Sequence, residues 1–377
     1  MQIGVLKEVK TDEYRVALLP PGVGALCALG HTVLVQTGAG AGAGAADADY
    51  RAAGAEIAAT AEQVAASAEM VLKIKEPIEP EFPLFENEQI LFCYLHSETR
   101  PKLVDMLLAK RLTAIAFENV RLPDGALPLL TPMSIIAGQQ GVLQGMRFLC
   151  NHVGGIGLSL AAYPGLAPAR VVVLGAGQSG LAAAKTAAAL GAEVTLFELN
   201  AKRIGQIAET LPKNITLLHN SSASLETYLT QADLVVHTTS IPPDSSYHLI
   251  DRALLKKMKK GAVIVDITAN LRGAVGSVDH YTTHTDPVWE VDGIIHYAVT
   301  NIPGTVAVTA SQALAIETLP YIAEIANKGV LQALRENNAL LQGLTTINGI
   351  LTWHEAGVMQ KRAWSEPEQA VRHVVCG

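Results

Sequence analysis

The sequence has little cysteine, and none of it is arranged to hold a metal or to cross-link a small domain. Cys27, Cys93, Cys150 and Cys376 are widely separated, and no two of them stand at the spacing of metal ligands. This usage is typical of a reducing compartment, so we expect unpaired cysteines in a cytoplasmic protein. The sequence therefore predicts neither a metal site nor a disulfide framework.

An excess of basic residues is also missing. The 377 residues include 28 Lys and Arg against 35 Asp and Glu, a net charge of −7, so we do not expect the basic face that a nucleic acid requires. Charged residues from Lys7 to Glu13 interrupt any apolar core near the N-terminus and argue against a signal peptide. The most apolar stretch, residues 153–173, contains several Gly, two Pro and an Arg, which favours a linker and a buried strand over a membrane span.

The chain is long enough for two domains, and 49% of its residues are hydrophobic. β-Rich runs alternate with helical stretches before residue 130, and a second series of such runs follows residue 135. The alternation predicts an α/β protein of two doubly wound, Rossmann-like domains with a cleft between them. The predicted strands include residues 2–5, 31–36, 70–74, 89–94, 114–118, 170–174, 193–198, 215–219, 234–238 and 263–267.

Apolar spacing predicts a long helix over residues 133–150, and residues 312–342 are helical again. The second segment is too short for a domain of its own, so we expect it to pack back on the first region. We therefore predict a substrate and catalytic domain from residues 1–132 and 305–377, and an NAD-binding domain from residues 133–304. The tail after Leu351 has little periodicity and no predicted structure.

A glycine-rich turn in residues 170–180, Arg-Val-Val-Val-Leu-Gly-Ala-Gly-Gln-Ser-Gly, is the most informative segment. It carries Gly175, Gly177 and Gly180, and a helical run and a second β-rich run ending at Glu198 follow. In dinucleotide-binding units such glycines permit the turn, the approach of the pyrophosphate and the packing of helix on strand. Glu198 would accept hydrogen bonds from the ribose hydroxyls, which favours NAD over NADP. The alternative is a structural turn.

A second glycine-rich stretch, residues 38–44, follows a strand-like run but lacks this context. A short acidic helix comes next, and no β-rich run ending in an acid follows at the required distance. We interpret this stretch as a loop rather than a second nucleotide site.

Blocks of sequence in collinear order extend over nearly all of the chain to about residue 330. They are residues 1–10 with Arg15-Val-Ala-Leu-Leu-Pro20, Lys73-Ile-Lys-Glu-Pro77, Leu91-Phe-Cys-Tyr-Leu-His96, Pro128-Leu-Leu-Thr-Pro-Met-Ser134, Val265-Asp266, Thr282-Thr-His284 and Asn301-Ile-Pro-Gly304. These blocks resemble alanine dehydrogenases and the related α-subunit of nicotinamide nucleotide transhydrogenase. The resemblance implies NAD-dependent hydride transfer at the α-carbon of a small amino acid or its imine. It also implies a homo-oligomer that acts on a small molecule.

The resemblance also implies roles for individual residues, and the chemistry of the side chains supports them. Arg15 matches the position that binds the substrate carboxylate, for which a planar guanidinium gives two parallel contacts. Lys75 matches a residue that contacts the substrate's oxygens and stabilises developing charge. His96 matches the general acid and base. Read without the resemblance, each could be an ordinary surface or core residue.

The glycine turn and the resemblance together assign the contacts to NAD. Ser134 and Asn301 match nicotinamide-side positions, and Met133 would support the ring. The other predicted cofactor-binding residues are Gly175, Gly177, Gln178, Ser179, Gly180, Glu198, Arg203, Thr239 and Ser240.

The chain departs from the family pattern at a position of catalytic importance. The family has an aspartate and a Gln-Gly-Gly turn where this chain has Asn270 and Arg272, and asparagine can neither ionise nor accept a proton. The loop that is normally apolar near the nicotinamide reads His237-Thr-Thr-Ser-Ile-Pro242, which predicts a polar lining. Ile135 and Gln139 stand where a Glu and an Arg are usual.

These departures leave more than one function open. An active dehydrogenase could act on a substrate other than alanine, since Asn270 and Arg272 make the predicted site more positive and would suit a second anionic group. In that reading Asn270 donates a hydrogen bond to substrate or nicotinamide. Alternatively the protein binds NAD(H) without dehydrogenase activity, as a regulator or transhydrogenase-like subunit. A cyclodeaminase that uses bound NAD without net redox change is the third possibility.

Overall fold

The structure is a computed structural model that describes residues 1–242 and 244–376. The chain divides into two compact units. Unit 1 comprises Met1–Met133 and Gly304–Gly377, and unit 2 comprises Ser134–Pro303.

The described strands, in chain order, are β1 (Gln2–Val5), β2 (Thr32–Gln36), β3 (Glu56–Ala58), β4 (Met70–Leu72), β5 (Ile90–Cys93), β6 (Thr113–Ala116), β7 (Arg170–Leu174), β8 (Glu193–Glu198), β9 (Ile215–His219), β10 (Leu234–His237), β11 (Val263–Asp266), β12 (Val288–Val291), β13 (Ile294–Tyr297), β14 (Leu344–Ile347) and β15 (Ile350–Leu351). The described α-helices are α1 (Pro20–Ala28), α2 (Asp47–Ala52), α3 (Ala61–Ser67), α4 (Pro101–Ala109), α5 (Thr131–Phe148), α6 (Gln178–Ala189), α7 (Ala201–Ile207), α8 (Ser222–Leu229), α9 (Arg252–Leu255), α10 (Ala307–Lys328), α11 (Val330–Glu336), α12 (Asn338–Gly343), α13 (His354–Gln360) and α14 (Pro367–Cys376).

Unit 1 is built on an eight-stranded sheet in the order β15-β14-β6-β5-β4-β1-β2-β3. The strands from β6 to β3 are parallel, and β4, β5 and β6 are buried along their whole length. Their nearly continuous apolar sequences fit strands that are covered on both faces. The C-terminal segment returns to this sheet, where β14 pairs antiparallel with β6.

Unit 2 is built on a seven-stranded sheet in the order β12-β13-β11-β10-β7-β8-β9. All neighbouring strands are parallel except the β12–β13 hairpin at one edge. Valines of β7 point to opposite faces: Val171 and Val173 pack into one core cluster, whereas Val172 packs into the other. Unit 2 is therefore a doubly wound sheet with an apolar core on each face.

The predicted elements differ from the structure at several ends. The strand predicted over 114–118 ends at Ala116, and Glu118 lies in a 3₁₀ turn, Phe117–Asn119. The helical region predicted over 312–342 is three helices, because Gly329 has φ +78° and ends α10. The tail after Leu351, for which no structure was predicted, forms α13 and α14.

One helical segment, Ile302–Lys328, is long and apolar enough to cross a membrane by length and composition alone. Its most apolar window is 33% buried, and side chains such as Leu314 and Ile322 are buried completely. A single segment of this kind is weak evidence for a membrane span, because the core helix of a soluble protein passes the same test.

Candidate active site

The side chains predicted to bind a substrate follow neighbouring parallel strands of unit 1. Arg15 follows β1, Lys75 follows β4 and His96 follows β5, so all three lie at the carboxyl edge of the sheet. From β1 the sheet grows through β2 and β3 on one side and through β4, β5 and β6 on the other. Ligands of open α/β sheets bind where the winding reverses in this way.

Arg15 is a buried cation held by a neighbouring carboxylate. Its Nε donates to Oε1 of Glu13 at 2.7 Å, and its Nη2 donates to the other oxygen of the same carboxylate. Nη1 lies 3.0 Å from the sulfur of Met133. Burial alone would raise the pKa of Glu13, but the Arg15 guanidinium holds it below its usual value. Glu13 therefore orients the guanidinium and compensates its charge.

Lys75 is half-buried near Arg15. Burial and the Arg15 charge lower its pKa to about 8. The ammonium group is therefore mostly charged at neutral pH and loses its proton in mildly alkaline solution.

His96 is held in an unusual backbone conformation by Glu118. The residue has φ +43° and ψ +44°, and its amide N–H donates to Oε1 of Glu118 at 2.6 Å. The amide of Leu95 donates to the same carboxyl group. Burial raises the pKa of Glu118 to about 7 even though these amides favour its charged form.

The charges around His96 favour its neutral form. Burial, the Lys75 ammonium and the Arg100 guanidinium lower the pKa of His96. Arg100 and Lys10 both form ion pairs with Glu76, whose pKa they hold below its usual value against the effect of burial. At neutral pH the imidazole is therefore uncharged.

In unit 2 the three glycines of the turn after β7 have distinct geometric roles. Gly175 has φ +96°. A Cβ at Gly180 would lie 1.8 Å from the carbonyl oxygen of Gly175, so only glycine lets α6 begin this close to β7. A Cβ at Gly177 would meet no described atom within 4 Å. Open space at Gly177, at the start of α6, is what the approach of a pyrophosphate requires.

Two side chains at the end of β8 and the start of α7 contact the same turn. Glu198 accepts the amide N–H of Ala176 at 3.0 Å, and Arg203 donates from Nε to the carbonyl oxygen of Ala176 at 3.2 Å. Glu198 also accepts the amides of Leu199 and Asn200. A carboxylate has about four acceptor sites, so capacity remains for a ribose hydroxyl.

The first turn of α6 contains Gln178 and Ser179. Gln178 is exposed, and the hydroxyl oxygen of Ser179 is buried without a hydrogen-bond partner in the described part of the chain.

Of the two residues predicted on the nicotinamide side, Ser134 lies in the first turn of α5. His284 donates from Nε2 to the carbonyl oxygen of Asn301 at 3.1 Å, which ties two of the family-like blocks together.

Polar side chains of the loop after β10 make hydrogen bonds within unit 2. Thr238 donates to the carbonyl oxygen of Leu174 at 2.8 Å, and Thr239 is hydrogen-bonded to His237 at 2.6 Å. Ser240 is exposed. This loop follows β10, beside β7, where the winding of the second sheet reverses.

Asn270 and Arg272 both have hydrogen-bond partners within unit 2. The amide nitrogen of Asn270 donates to the carbonyl oxygen of Ile241 at 2.9 Å. Arg272 pairs with Asp244 at 2.6 Å, and both side chains are more than half exposed. Arg272 therefore does not make the site more positive as expected, since Asp244 neutralises its charge.

Sequence reasoning missed the acidic partners of the predicted residues. Glu13 is two residues from Arg15, which is itself a signal for pairing. Glu118 follows β6, and β6 lies beside β5, so the parallel register places it near His96. The sequence marks His237 only as a polar residue in a loop that is normally apolar in the family. In the structure it pairs with the buried Asp266.

The fold and these two clusters define a nucleotide-binding oxidoreductase of two Rossmann-like units. The models of the alanine dehydrogenase/PNT N-terminal and C-terminal domains match residues 4–137 and 141–354. The chain is 44% identical to an alanine dehydrogenase of Methanococcus maripaludis, over 98% of this chain and all of that protein. It is 41% identical to an alanine dehydrogenase of Staphylococcus saprophyticus, over 99% and 100% of the two chains.

Solved structures agree with these matches. A structure of L-alanine dehydrogenase superposes with a TM-score of 0.91 at 43% identity, covering 96% of this chain and 99% of that one. A transhydrogenase from Sinorhizobium meliloti, 24% identical, shares the fold with a TM-score of 0.77 over 93% and 98% of the two chains. The chain belongs to the alanine dehydrogenase/PNT family, and it is an oxidoreductase of the class that acts on CH–NH₂ groups.

The glycine turn allows a test that separates folding from binding. Gly177→Ala should leave the melting temperature unchanged, because the backbone there (φ −69°, ψ −172°) suits alanine and the Cβ meets no described atom. The same methyl group should lower NADH affinity by about tenfold or more if this turn holds the phosphates, as the corresponding turn does in dinucleotide-binding units. Thermal unfolding and NADH fluorescence titration measure the two effects.

Gly180→Ala is the matched control. Its Cβ collides with the carbonyl of Gly175, so it should lower the melting temperature by several degrees. Normal NADH binding by Gly177→Ala would show that the turn does not hold the phosphates.

Proposed function

We propose that this protein is an NAD(H)-dependent dehydrogenase that interconverts L-alanine, or a similarly small amino acid, with its 2-oxo acid and ammonia. The observation that carries the proposal is the placement of Arg15, Lys75 and His96 at the switch point of unit 1. Unit 2 offers a glycine turn shaped for a dinucleotide at its own switch point. NAD is the expected cofactor because Glu198 stands where a ribose hydroxyl is bound.

The residues of unit 1 supply what deamination of an amino acid requires. Arg15 binds the carboxylate, since a planar guanidinium can give a carboxylate two parallel contacts. Lys75 stabilises negative charge on the oxygen of the 2-oxo acid. His96, neutral at pH 7, accepts a proton from the attacking water and returns it in the reverse direction. When bound, NAD(H) accepts or donates the hydride at the α-carbon.

The cofactor contacts belong to the same proposal. Gly175, Gly177 and Gly180, with the first residues of α6, Gln178 and Ser179, would hold the pyrophosphate. Glu198 and Arg203 would line the adenosine side. The nicotinamide side would be lined by Ser134, Thr239, Ser240 and Asn301, with Met133 supporting the ring while it contacts Arg15.

A second function rests on Asn270, which stands where the family pattern has an aspartate. Its amide holds the carbonyl of Ile241, so the residue serves the loop rather than proton transfer. A protein that binds NAD(H) without dehydrogenase activity would fit this arrangement. We also propose a cytoplasmic location, which the unpaired Cys27, Cys93 and Cys150 support. A homo-oligomer is proposed from the family resemblance.

The first experiment follows NADH absorbance with purified protein, ammonia or simple amines, and a panel of 2-oxo acids. We expect NADH consumption with pyruvate and ammonia. Arg15→Lys should lower kcat/KM by about tenfold or more, because a lysine cannot give two parallel contacts. The exposed Arg51→Lys is the matched control. Silence across the panel, with NADH binding measured separately, would favour the second function.

The pKa of Lys75 predicts how the affinity for the 2-oxo acid depends on pH. Because burial and Arg15 lower this pKa to about 8, the cation that contacts the substrate is lost as the pH rises through that value. The KM for pyruvate, or the Kd of the inhibitor oxamate, should therefore increase above about pH 8. Lys75→Arg stays charged and should lack this increase. An identical increase in both proteins would assign the effect to another group.

Restoring a carboxylate at residue 270 tests what the asparagine has replaced. Asn270→Asp should raise kcat for alanine oxidation on the order of tenfold or more, because a carboxylate can accept a proton and stabilise a cation. It should also lower stability by about 1 kcal/mol, since the hydrogen bond to Ile241 is lost. Asn270→Ala loses the same bond without adding charge. Equal kcat values for the two variants would show that position 270 takes no part in proton transfer.

A further inference from the structure

A buried histidine–aspartate pair lies at the carboxyl ends of β10 and β11 in unit 2. Nδ1 of His237 is 2.8 Å from Oδ1 of Asp266, and both side chains are 1% exposed. Asp266 also accepts the hydroxyl of Thr268 and the amide of Ala269, both at 2.9 Å. Burial alone would raise the pKa of Asp266, but His237 and these donors hold it below its usual value. The aspartate is therefore ionised and can only accept hydrogen bonds.

The ionised aspartate fixes which ring nitrogen of His237 donates to it. Because Oδ1 accepts, Nδ1 carries the proton that it donates. In the uncharged form of the imidazole, Nε2 then carries a lone pair. The partner of Nε2 is the hydroxyl of Thr239, at 2.6 Å. The hydroxyl therefore donates its only proton to the imidazole. With that proton engaged, the two lone pairs of Thr239 Oγ1 make it a hydrogen-bond acceptor towards any other group.

Thr239 stands at the place where a ligand of this fold binds. It follows β10, which lies beside β7 at the switch point of the sheet. A Cβ at Gly175 would lie 2.7 Å from Cγ2 of Thr239, so the threonine packs directly on the glycine turn. The side chain is half-buried. Neighbouring Thr238 has a different role, since its hydroxyl donates to the backbone of the turn.

We infer that His237 and Asp266 are positioning residues that fix Thr239 Oγ1 as a hydrogen-bond acceptor for a donor group of the bound dinucleotide. The inference rests on the proposed NAD(H) binding and deepens it. A dinucleotide offers two kinds of donor on its nicotinamide side, the ribose hydroxyls and the amide N–H of the carboxamide. Aspartate, histidine and threonine thus act in series, and only the threonine contacts the ligand.

The first test removes the hydroxyl while keeping the shape of the side chain. Thr239→Val should raise the Kd for NADH by about tenfold, the effect of one lost hydrogen bond. Thr239→Ser keeps the hydroxyl and should bind NADH within about twofold of the parent protein. Both Kd values are measured by fluorescence titration under identical conditions.

The second test shows whether the histidine acts through the threonine. His237→Asn keeps an amide donor for Asp266 but is too short to reach the Thr239 hydroxyl. We expect this variant to lose as much NADH affinity as Thr239→Val, and the double variant to lose no more than either single one. If His237 served the core alone, the two effects would be independent and would add.

Two further ligands distinguish the donors. ADP-ribose lacks the nicotinamide, and the reduced 3-acetylpyridine analogue of NADH lacks the amide N–H. If the donor is the carboxamide, Thr239→Val should bind both ligands as the parent does. If the donor is a ribose hydroxyl, the tenfold loss should persist with the acetylpyridine analogue.

Three results would overturn the inference. The first is NADH binding by Thr239→Val within twofold of the parent, and the second is additive losses from His237→Asn and Thr239→Val. In both cases the proposed function would stand if the parent protein still binds and oxidises NADH. Failure of the parent protein to bind NADH would overturn the proposed function and this inference together.

Discussion

The candidate site depends on the parallel order of the two sheets. Parallel strands bring their carboxyl ends to one edge, so residues distant in sequence meet without any long connection. In unit 1 this edge collects Arg15, Lys75, His96 and Glu118. In unit 2 it places the glycine turn beside Thr239 and Asp266. Ligands of open α/β sheets bind where the winding of the sheet reverses.

Cations at the carboxyl edge of a sheet require carboxylate partners, because burial disfavours the charged form of a side chain. Glu13 pairs with Arg15, and Glu76 pairs with Lys10 and Arg100. A further buried lysine, Lys73, lies between Glu8 and Glu81. Lys75 has a lowered pKa instead, since Arg15 adds to the effect of burial. The carboxylates therefore keep the surrounding cations charged, whereas the groups proposed to react, Lys75 and His96, have lowered pKa values.

The parts of the fold and of the candidate site that the sequence predicts are those whose pattern lies within one short segment. The glycine turn was predicted residue by residue, since its three glycines and the acid after β8 lie within one strand–helix–strand unit. The C-terminal helices were merged, because apolar spacing does not reveal that Gly329 takes a left-handed conformation. Glu118 was missed because its importance comes from the pairing of β6 with β5, a contact between segments separated in sequence. Arg272 was misjudged for the same reason, since Asp244 lies in another loop.

The loss of an acid at residue 270 does not remove negative charge from this edge of unit 2. Asp266, four residues earlier, stays ionised in full burial, and it is hydrogen-bonded to His237, which in turn is hydrogen-bonded to Thr239. A carboxylate at 270 would face the carbonyl of Ile241, which now accepts a hydrogen bond from Asn270. Asn270 and His237 therefore both act on the loop after β10. Asn270 donates to its backbone at Ile241, and His237 is hydrogen-bonded to the hydroxyl of Thr239. A dehydrogenase with this arrangement would depend on His96 for proton transfer and on the polar loop for holding its cofactor.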